Sequence, residues 1–534
     1  MRRDLRSEME SIRSGLKCST IEAVFATIHM VLTQGIFLTN YVIDQGASNL
    51  LCCVVESLPF LTQFGYFLSP ILVRRLQARK PVTAVFSILH RISWLALIGL
   101  MYVEWPPAIR HALMVFVLFG ANVCAVIAAN AWFSWMTDLV PTTIRGSYYG
   151  LRNTYLGLTS LVALFVGSQL LTQFRSNGMA PLGYTICFGV AIASAAFAAW
   201  MLLRQYEPKM MPLPRISARQ LIAPLKTKPA LRKFIMFYSF WQYSLGVASA
   251  LFGVHMVRVL HMSPAEMGYQ ALLASMTALT ASRLWGRALD RVGDRAVLIT
   301  SGTLVALHVW VWIPSHPGFV WPVWIASVLG GIGWSGFNMA VFSWPQRLCG
   351  QSERQYAYGL LGFFSGPSFV LGSMTGGLIT TFLPQVFFQI GSFEVLHYHA
   401  TFALSSLGRL AAIILVAHWS LTFDRSTRSI AECLRDTVGA IADEFPWETP
   451  RRWLERWGWT PGISQPLGAG KVRGNTGERN RPESECPQAQ KASRFRERHG
   501  QVGRSFIRVP RKRELEIDNR NHEEHHAIQH QVAS

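Results

Sequence analysis

Two charged residues inside long apolar stretches have the side chains best suited to chemistry in this sequence. Glu56 stands near the start of one such stretch, and Arg283 stands within another. Burial disfavours the charged form of a carboxyl group, so Glu56 is our candidate for a group that takes up and releases a proton. Arg283 is the candidate that balances an anion or that carboxylate. The alternative for both is a position near a membrane surface, where a long arginine side chain reaches water.

Membrane-spanning helices are the elements that must position these side chains. Half of the 534 residues are hydrophobic and only 15% are charged, which is typical of a chain surrounded by a lipid bilayer. Apolar runs of about 20 residues, the length of helix that crosses a bilayer, lie over 20–43, 49–73, 81–103, 109–136, 147–173, 180–203, 233–257, 264–288, 295–314, 318–345, 355–384 and 398–421. The sequence therefore predicts an all-α membrane protein with twelve transmembrane helices, which we number as spans 1 to 12.

The formal net charge of +20 is concentrated in particular loops. Arginine and lysine crowd the N-terminus and the loops that follow spans 2, 6 and 8, whereas the opposite loops are short and carry few charges. This asymmetry indicates membrane topology, with the basic side in the cytoplasm, rather than nucleic-acid binding. We expect a multi-pass protein of the inner (plasma) membrane with both termini in the cytoplasm and no nucleic-acid partner.

An internal repeat divides the chain into two halves. The run Phe133-Ser134-Trp135, followed by the run from Arg145 to Leu151, recurs 209 positions later at Phe342-Ser343-Trp344 and at Arg354 to Leu360. Such a repeat predicts two structural halves that face each other. We expect two pseudo-symmetric six-helix bundles.

The predicted organisation has five parts. We expect a cytoplasmic N-terminus, a first bundle, a central cytoplasmic loop, a second bundle and a cytoplasmic tail, over 1–18, 19–203, 204–232, 233–423 and 424–534. In the tail, apolar residues at helical spacing predict one amphipathic helix through Ile430, Leu434, Val438 and Ile441. The later tail is poor in apolar residues, so we expect it to be mostly disordered.

A glycine-rich and charged run follows span 8. It reads Gly286-Arg-Ala-Leu-Asp290-Arg291-Val-Gly293-Asp-Arg295. This run resembles the signature loop of the major facilitator superfamily, which lies between spans 2 and 3 and, more weakly, between spans 8 and 9. Gly286 predicts a close helix approach and Gly293 a tight turn. The resemblance covers residues 18–423, and the run over 132–141 is most similar to a bacterial branch of the family.

The equivalent run after span 2 keeps the basic residues Arg74 and Arg75 but lacks the acid. Span 4 ends in Asp138, whose repeat partner is Arg347. We hypothesise that Arg74 pairs with Asp138 and Asp290 with Arg347, each pair bridging helix ends and helping to close the cytoplasmic side. The alternative is that these are topology residues with a chance acid nearby. The predicted cytoplasmic gate also includes Arg145, Gly146, Gly286, Arg291, Gly293, Arg295 and Arg354, with Arg145-Gly146 in a structural role at the start of span 5.

The resemblance implies that spans 1, 4, 7 and 10 line a central cavity. Polar groups deep in such spans are costly unless they face water or a partner. For each amide, a hydrogen bond between helices is the alternative to substrate contact. The cavity candidates are His29, Gln34, Asn40, Asn122, Asn130, Gln242, His255, Trp334 and Asn338. In span 11, Gly366, Gly372 and Gly376 indicate a flexible or a closely packed helix.

The resemblance also implies transport of a small molecule by alternating access. The sequence has no phosphate-binding loop, so ion coupling is the expectation, and a proton is favoured because no acidic cluster indicates sodium. The expected partners are membrane lipids, a small-molecule substrate and a coupling proton, with no cofactor and no metal, in a monomer. The alternatives are a transporter-fold regulator or sensor acting through its tail and, less favoured, a polytopic membrane enzyme, although the predicted outer loops are too short for a catalytic cluster.

Overall fold

The computed structural model describes residues 2–210, 225–349, 354–391, 393–419 and 430–442. Within these ranges nearly all of the chain is helical, because a backbone in a bilayer must satisfy its hydrogen bonds within the segment. Residues 211–224 of the predicted central loop and the tail beyond residue 442 lie outside the described part.

Each predicted span coincides with a helix or with a helix that is interrupted once. Span 1 joins Arg2–Thr33 to Ile36–Asp44 across Gly35, whose φ is +55°. Span 2 joins Asn49–Leu61 to Gly65–Leu76 through the 3₁₀ turn Thr62–Phe64, which follows Pro59 closely. The remaining spans 3 to 12 are Lys80–Tyr102, Pro107–Leu139, Arg145–Ser176, Ala180–Arg204, Pro229–Arg258, Pro264–Val292, Asp294–Leu307 with the 3₁₀ turn His308–Trp312, Trp321–Leu348, Arg354–Phe382 and His397–His418.

Nine of these spans, among the residues described, are long and apolar enough to cross a membrane. Spans 7, 8 and 11 are not in that set, although they are helices of 30, 29 and 29 residues at the predicted positions. The helical membrane fold is confirmed, and a crossing by all twelve spans stays a prediction.

Successive spans run in opposite directions, so the bundle has two ends. We call the end that holds the connection between spans 1 and 2 the loop-1 end, and the other the amino-terminal end. A hairpin of antiparallel strands, Val386–Ile390 and Phe393–Leu396, connects spans 11 and 12 at the loop-1 end. The predicted amphipathic helix is present as Ile430–Ala442, and its buried face consists of Cys433, Thr437 and Ala440, while Val438 is exposed.

The buried apolar core is arranged differently at the two ends. At the loop-1 end one cluster runs through both halves and includes Phe37, Tyr41, Leu251 and Phe402. At the amino-terminal end the described clusters stay within one half. Those of the first half are built around Trp135, Met136 and Leu139 and around Val73 and Val82, and that of the second half around Trp241, Phe337 and Trp344. The apolar packing therefore joins the halves at the loop-1 end.

Candidate functional site

The hydrogen bonds that join described residues of the two halves lie at the loop-1 end, and we call this set of contacts the loop-1 seam. Its centre is Asn49, the first residue of span 2. Arg258, at the end of span 7, donates from Nη1 to Asn49 Oδ1 at 2.5 Å and from Nη2 to the carbonyl of Ala47. The hydroxyl of Tyr398 donates to the same Oδ1 at 3.2 Å. His397 Nε2 lies 3.5 Å from Asn49 Nδ2.

Spans 5 and 8 form the second part of the seam. Gln169 donates from Nε2 to the hydroxyl of Tyr269 at 2.7 Å. At the neighbouring positions the two backbones come so close that a Cβ on Gly268 would lie 2.5 Å from Ser168 Oγ. A glycine is therefore required at 268 for this approach.

Toward the amino-terminal end the same two spans have exposed apolar side chains. Leu158 and Leu279 lie on the helix faces that continue from Ser168 and Gly268, at helical spacing. They are 62% and 61% exposed, in contrast to the packed residues near loop 1. The hydrogen bonds and the ring contact between described residues of spans 5 and 8 lie at the loop-1 end.

Spans 2 and 11 form the third part of the seam. Ser373 donates from Oγ to the carbonyl of Cys53 at 2.8 Å. The rings of Phe60 and Phe369 stack with their centroids 3.7 Å apart. A Cβ on Gly366 would lie 2.8 Å from the carbonyl oxygen of Phe60.

Span 11 also packs tightly on span 7 within the second half. A Cβ on Gly372 or on Gly376 would fall inside contact distance of the carbonyl oxygens of Tyr243 and Val247. The glycines of span 11 therefore serve close packing on both sides rather than flexibility.

Glu56 lies beside the seam on span 2. It stands three residues after Cys53 and four before Phe60, both of which contact span 11, so it shares the helix face that is directed toward the second half. Its side chain is partly buried. Among the described residues no group forms a hydrogen bond or an ion pair with its carboxylate. Glu56 is thus an uncompensated acid next to the contact between the halves.

Arg283 lies on span 8, on the face that continues from Gly268 toward the amino-terminal end. Its side chain is exposed, and no acid of the described residues pairs with it. Arg283 is exposed and Glu56 is partly buried, and the two side chains do not form an ion pair.

The cavity candidates of the first half make contacts within or close to that half. His29 is buried, with Nδ1 3.2 Å from the carbonyl of Ala191, and Asn122 donates to Leu118 of its own helix. Asn130 donates to the carbonyl of Tyr66 in span 2 at 2.9 Å.

Two further candidates from span 1 lie near the seam. Asn40 accepts a hydrogen bond from Arg175 at 2.5 Å and approaches Met267 of the second half at 3.4 Å. Gln34 is exposed at the break in span 1.

The cavity candidates of the second half also differ from one another in burial. His255 is fully buried and lies 3.2 Å from Ser315 Oγ, and Gln242 is buried in span 7. Trp334 packs edge-on against Trp241, while Asn338 is exposed. Of the nine cavity candidates, Gln34 and Asn338 are exposed, and Asn122, Asn130 and Trp334 are partly exposed.

The predicted ion pairs at the amino-terminal end need a correction. Asp138 pairs with Arg79 at 2.5 Å rather than with Arg74, and Arg347 pairs with Asp294 at 2.8 Å rather than with Asp290. Arg74, Arg75 and Asp290 are exposed at the ends of their helices. The charges of the pair are exchanged between the halves as predicted. Each pair, however, joins helices of one half and does not connect the two halves.

A left-handed turn explains the changed partners. Span 2 ends at Leu76, and Gln77 has a φ of +51°, as Gly293 has a φ of +87° after span 8. This turn redirects the chain, so that the residues after the turn, Arg79 and Asp294, reach the neighbouring span. The tight turn predicted at Gly293 is confirmed.

The other residues of the predicted gate act within their own half. Arg145 donates to the carbonyls of Thr137 and Val140, which ties the start of span 5 to the end of span 4. Arg291 donates to the carbonyl of Ala440, and Arg295 to that of Ala417. Nothing lies within 4 Å of a Cβ on Gly146, and one on Gly286 would meet only Met339 Sδ at 4.0 Å, so the predicted close approach at Gly286 is corrected. Arg354 begins span 11, and its side chain lies outside the described part.

Sequence reasoning missed the residues at the centre of the seam. Asn49, Arg258 and Tyr398 are at the ends of spans, where a polar residue is usually a simple boundary. The available signal was Arg258, a basic residue at the sparsely charged end of the bundle.

Part of the sequence and most of the fold are similar to those of known proteins. A sequence model of the Major Facilitator Superfamily matches residues 234–432. No curated protein matches the sequence. Among solved structures, a mutant form of the nucleoside transporter NupG superposes with a TM-score of 0.58 at 12% identity, covering 75% of this chain and 98% of that one.

Two further structures are similar over much the same extent. A bacterial homologue of the iron transporter ferroportin, in the inward-facing state, has a TM-score of 0.56 at 14% identity and covers 77% of this chain and 99% of its own. The inward open xylose transporter XylE from E. coli has a TM-score of 0.55 at 13% identity and covers 79% and 99%. At identities this low, the structural similarity establishes the fold alone.

The fold is that of solved membrane transporters. The matches are to transporters rather than to enzymes. Residues 234–432 thus match the sequence model of the Major Facilitator Superfamily, and the fold of the chain is similar to that of the solved transporters.

Proposed function

We propose that the protein is a secondary active transporter that moves a small molecule across the inner membrane by alternating access and is coupled to protons. The observation that carries this proposal is that the hydrogen bonds between described residues of the two halves lie at the loop-1 end, whereas the described apolar clusters of the amino-terminal end stay within one half. Rocking of the halves about a site between them would exchange the closed end for the open end.

The amino-terminal end is the cytoplasmic end in this proposal. The positive-inside rule supports this orientation, because the basic loops and the N-terminus lie there. The arrangement then corresponds to an inward-facing state. Two of the similar structures, the ferroportin homologue and XylE, are also described as inward-facing or inward open.

Glu56 is the proton site in this proposal. An acid that has no partner in an apolar surrounding is stable in its neutral form, and it can ionise when the surroundings change. Because Glu56 lies next to the contact of span 2 with span 11, separation of these spans would change its exposure to water. Gln34, Arg283 and Asn338 are the proposed contacts with the substrate, since all three are exposed.

The first experiment is a thermal-shift screen of the purified full chain against sugars, amino acids, organic acids, lipids and drugs. A ligand that binds the folded state raises the melting temperature. With a ligand in hand, proteoliposomes that contain a pH-sensitive dye report whether its uptake moves protons. Uptake without any proton movement would contradict the coupling and leave the transport proposal intact.

We predict that Glu56→Gln abolishes ligand-driven proton movement while ligand binding in the thermal-shift assay is retained. The amide cannot release a proton, but it fills the same space. The matched control is Glu104→Gln, which alters an exposed acid in the connection between spans 3 and 4 and should leave proton movement unchanged. Equal proton movement in Glu56→Gln and in the wild type would exclude Glu56 as the coupling site.

A further inference from the structure

The amide of Asn49 has a defined orientation in the loop-1 seam. Its Oδ1 accepts hydrogen bonds from Arg258 at 2.5 Å and from Tyr398 at 3.2 Å, and both partners are donors. If the amide nitrogen of Asn49 occupied the position of Oδ1, its N–H donors would lie against the N–H donors of Arg258. The Nδ2 group of Asn49 is therefore the group that faces His397, at 3.5 Å from Nε2.

This orientation determines the protonation state of His397. The Nδ1 atom of His397 lies 3.3 Å from the carbonyl oxygen of Pro384, which only accepts, so Nδ1 carries the hydrogen. The Nε2 atom faces the amide hydrogens of Asn49 and must accept. Both ring contacts are satisfied in one neutral tautomer of His397, and a second proton on Nε2 would place two donors against each other.

The surroundings of His397 also oppose a second positive charge. Arg258 of span 7 binds the other side of the same asparagine. Tyr398 and His399 follow His397 on span 12, and His255 of span 7 contacts both rings. The thiol of Cys52 lies near Tyr398, in the first turn of span 2. Glu394 stands in the strand before span 12. No carboxylate of the described residues pairs with His397, so a proton there would be uncompensated.

His399 is held in a neutral form by the same logic. The backbone N–H of Leu396 donates to His399 Nδ1 at 3.2 Å, so this nitrogen carries no hydrogen. The start of span 12 thus contains two imidazoles whose hydrogen bonds require the uncharged ring.

We propose that His397 is a proton-binding site that releases the loop-1 seam. Proton uptake at Nε2 from the loop-1 side removes the hydrogen bond from Asn49 and adds a positive charge near Arg258, which favours separation of span 2 from spans 7 and 12. Histidine is the side chain whose charge changes between about pH 5 and pH 8. The inference rests on the proposed function, since it assigns the outer opening step of that transport cycle to a proton, and it adds a site separate from Glu56.

The chain contains its own reporter of seam opening. Cys53 is fully buried where span 2 meets span 11, and its backbone carbonyl accepts a hydrogen bond from Ser373 across the halves. A thiol reagent reaches Cys53 only when the seam opens. The measurement is the rate at which a membrane-impermeant maleimide, added to the loop-1 side of intact membranes that contain the full chain, modifies Cys53, followed by mass spectrometry of the peptide.

We predict that this rate, divided by the rate for the unfolded protein at the same pH, rises several-fold between pH 8 and pH 6, since preferential binding of one proton shifts an equilibrium by at most about tenfold per pH unit. The intrinsic reaction of a thiol slows in acid, because the thiolate is the nucleophile. Division by the rate for the unfolded protein removes this effect, so a rise in the ratio reports opening. A rate that falls with pH as in the unfolded protein would overturn the proposal.

Three variants make the test specific. In His397→Gln the seam should stay closed at both pH values, because an amide oxygen accepts from Asn49 and takes up no proton. In Asn49→Asp a carboxylate would bind the protonated His397, so acid should no longer speed the modification. His418→Gln, the same substitution at the other end of span 12, should keep the wild-type response.

The outcomes separate this proposal from the proposed function. An unchanged acid response in both His397→Gln and Asn49→Asp would show that His397 is not the site, whatever the transport assay finds. An acid response that depends on His397, in a protein that transports none of the tested ligands, would support the site and contradict the transport proposal.

Discussion

The two ends of the molecule use different interactions for different purposes. At the loop-1 end, hydrogen bonds of Asn49 and close approaches at glycines join the two halves. At the amino-terminal end, the ion pairs Arg79–Asp138 and Asp294–Arg347 join helices within one half. In the proposed transport cycle the contacts between halves must break and re-form. The contacts within a half need not change. This difference explains why these two ion pairs lie within the halves rather than in the seam.

Burial of the arginine distinguishes the two ion pairs further. Arg79 is 1% exposed and also donates to the carbonyls of Ser134 and Pro208, whereas Arg347 is 57% exposed. In the second half the buried partner is the acid, Asp294, which is 5% exposed. The charges are exchanged between the halves, and the buried partner is therefore the arginine in the first half and the acid in the second.

The largest effect is expected at Arg79. Arg79→Ala should lower stability by about 3 kcal/mol, because its removal leaves the carbonyls of Ser134 and Pro208 without their donor, whereas the half-exposed Asp138 is solvated. Arg74→Ala, five residues earlier and exposed, should change stability by less than about 0.5 kcal/mol. The melting temperatures of the two variants in detergent check this contrast. Equal losses of melting temperature in the two variants would mean that Arg74 shares the ion pair with Asp138. The difference that we infer between the two ends of the molecule would then be smaller.

The next effect concerns the seam itself. Gly268→Leu should destabilise the closed loop-1 end by about 1–3 kcal/mol, because the new side chain overlaps Ser168 in span 5. Gly286→Leu changes the same span near its other end, where an added Cβ has room, and serves as the matched control. Maleimide modification of Cys53 measures the result as a faster rate in Gly268→Leu alone. If both variants behave alike, spans 5 and 8 do not close that end.

The smallest effect is expected at Arg347. Arg347→Ala should cost about 1 kcal/mol, since the exposed guanidinium is largely solvated. The buried Asp294 loses its counter-charge, but it keeps its hydrogen bond from Ser343 and can take up a proton, which limits the cost. The melting temperature of this variant, compared with that of Arg79→Ala, tests whether the buried partner determines the strength of each pair. A loss as large as that of Arg79→Ala would contradict this reasoning.

Local patterns in the sequence predicted the spans well and the contacts between them less well. The spans follow from runs of apolar residues, because hydropathy acts over neighbouring positions. The exchanged charges at 138 and 347 were also visible in the repeat. Their partners were misassigned, because the left-handed turn at Gln77 and the turn at Gly293 determine which residue reaches span 4 or span 10.

The seam shows the same limit more clearly. Asn49, Arg258 and Tyr398 are far apart in the sequence, and nothing local marks them as neighbours. His29 and His255 illustrate the converse, since two polar residues predicted to line the cavity are buried within the halves. A polar residue in an apolar span has the same pattern whether it faces water, a ligand or another helix.

By itself, the sequence determined the helical membrane class, the order of the spans, the two halves and the kinds of side chain that lie in them. These properties depend on interactions among residues close in the chain. Only the tertiary structure decided which end is closed, that Glu56 stands beside the contact of span 2 with span 11, and that Asn49 presents its amide hydrogens to His397. Such features depend on the rotation of each helix and on contacts between residues hundreds of positions apart, which the same apolar spans permit in more than one arrangement.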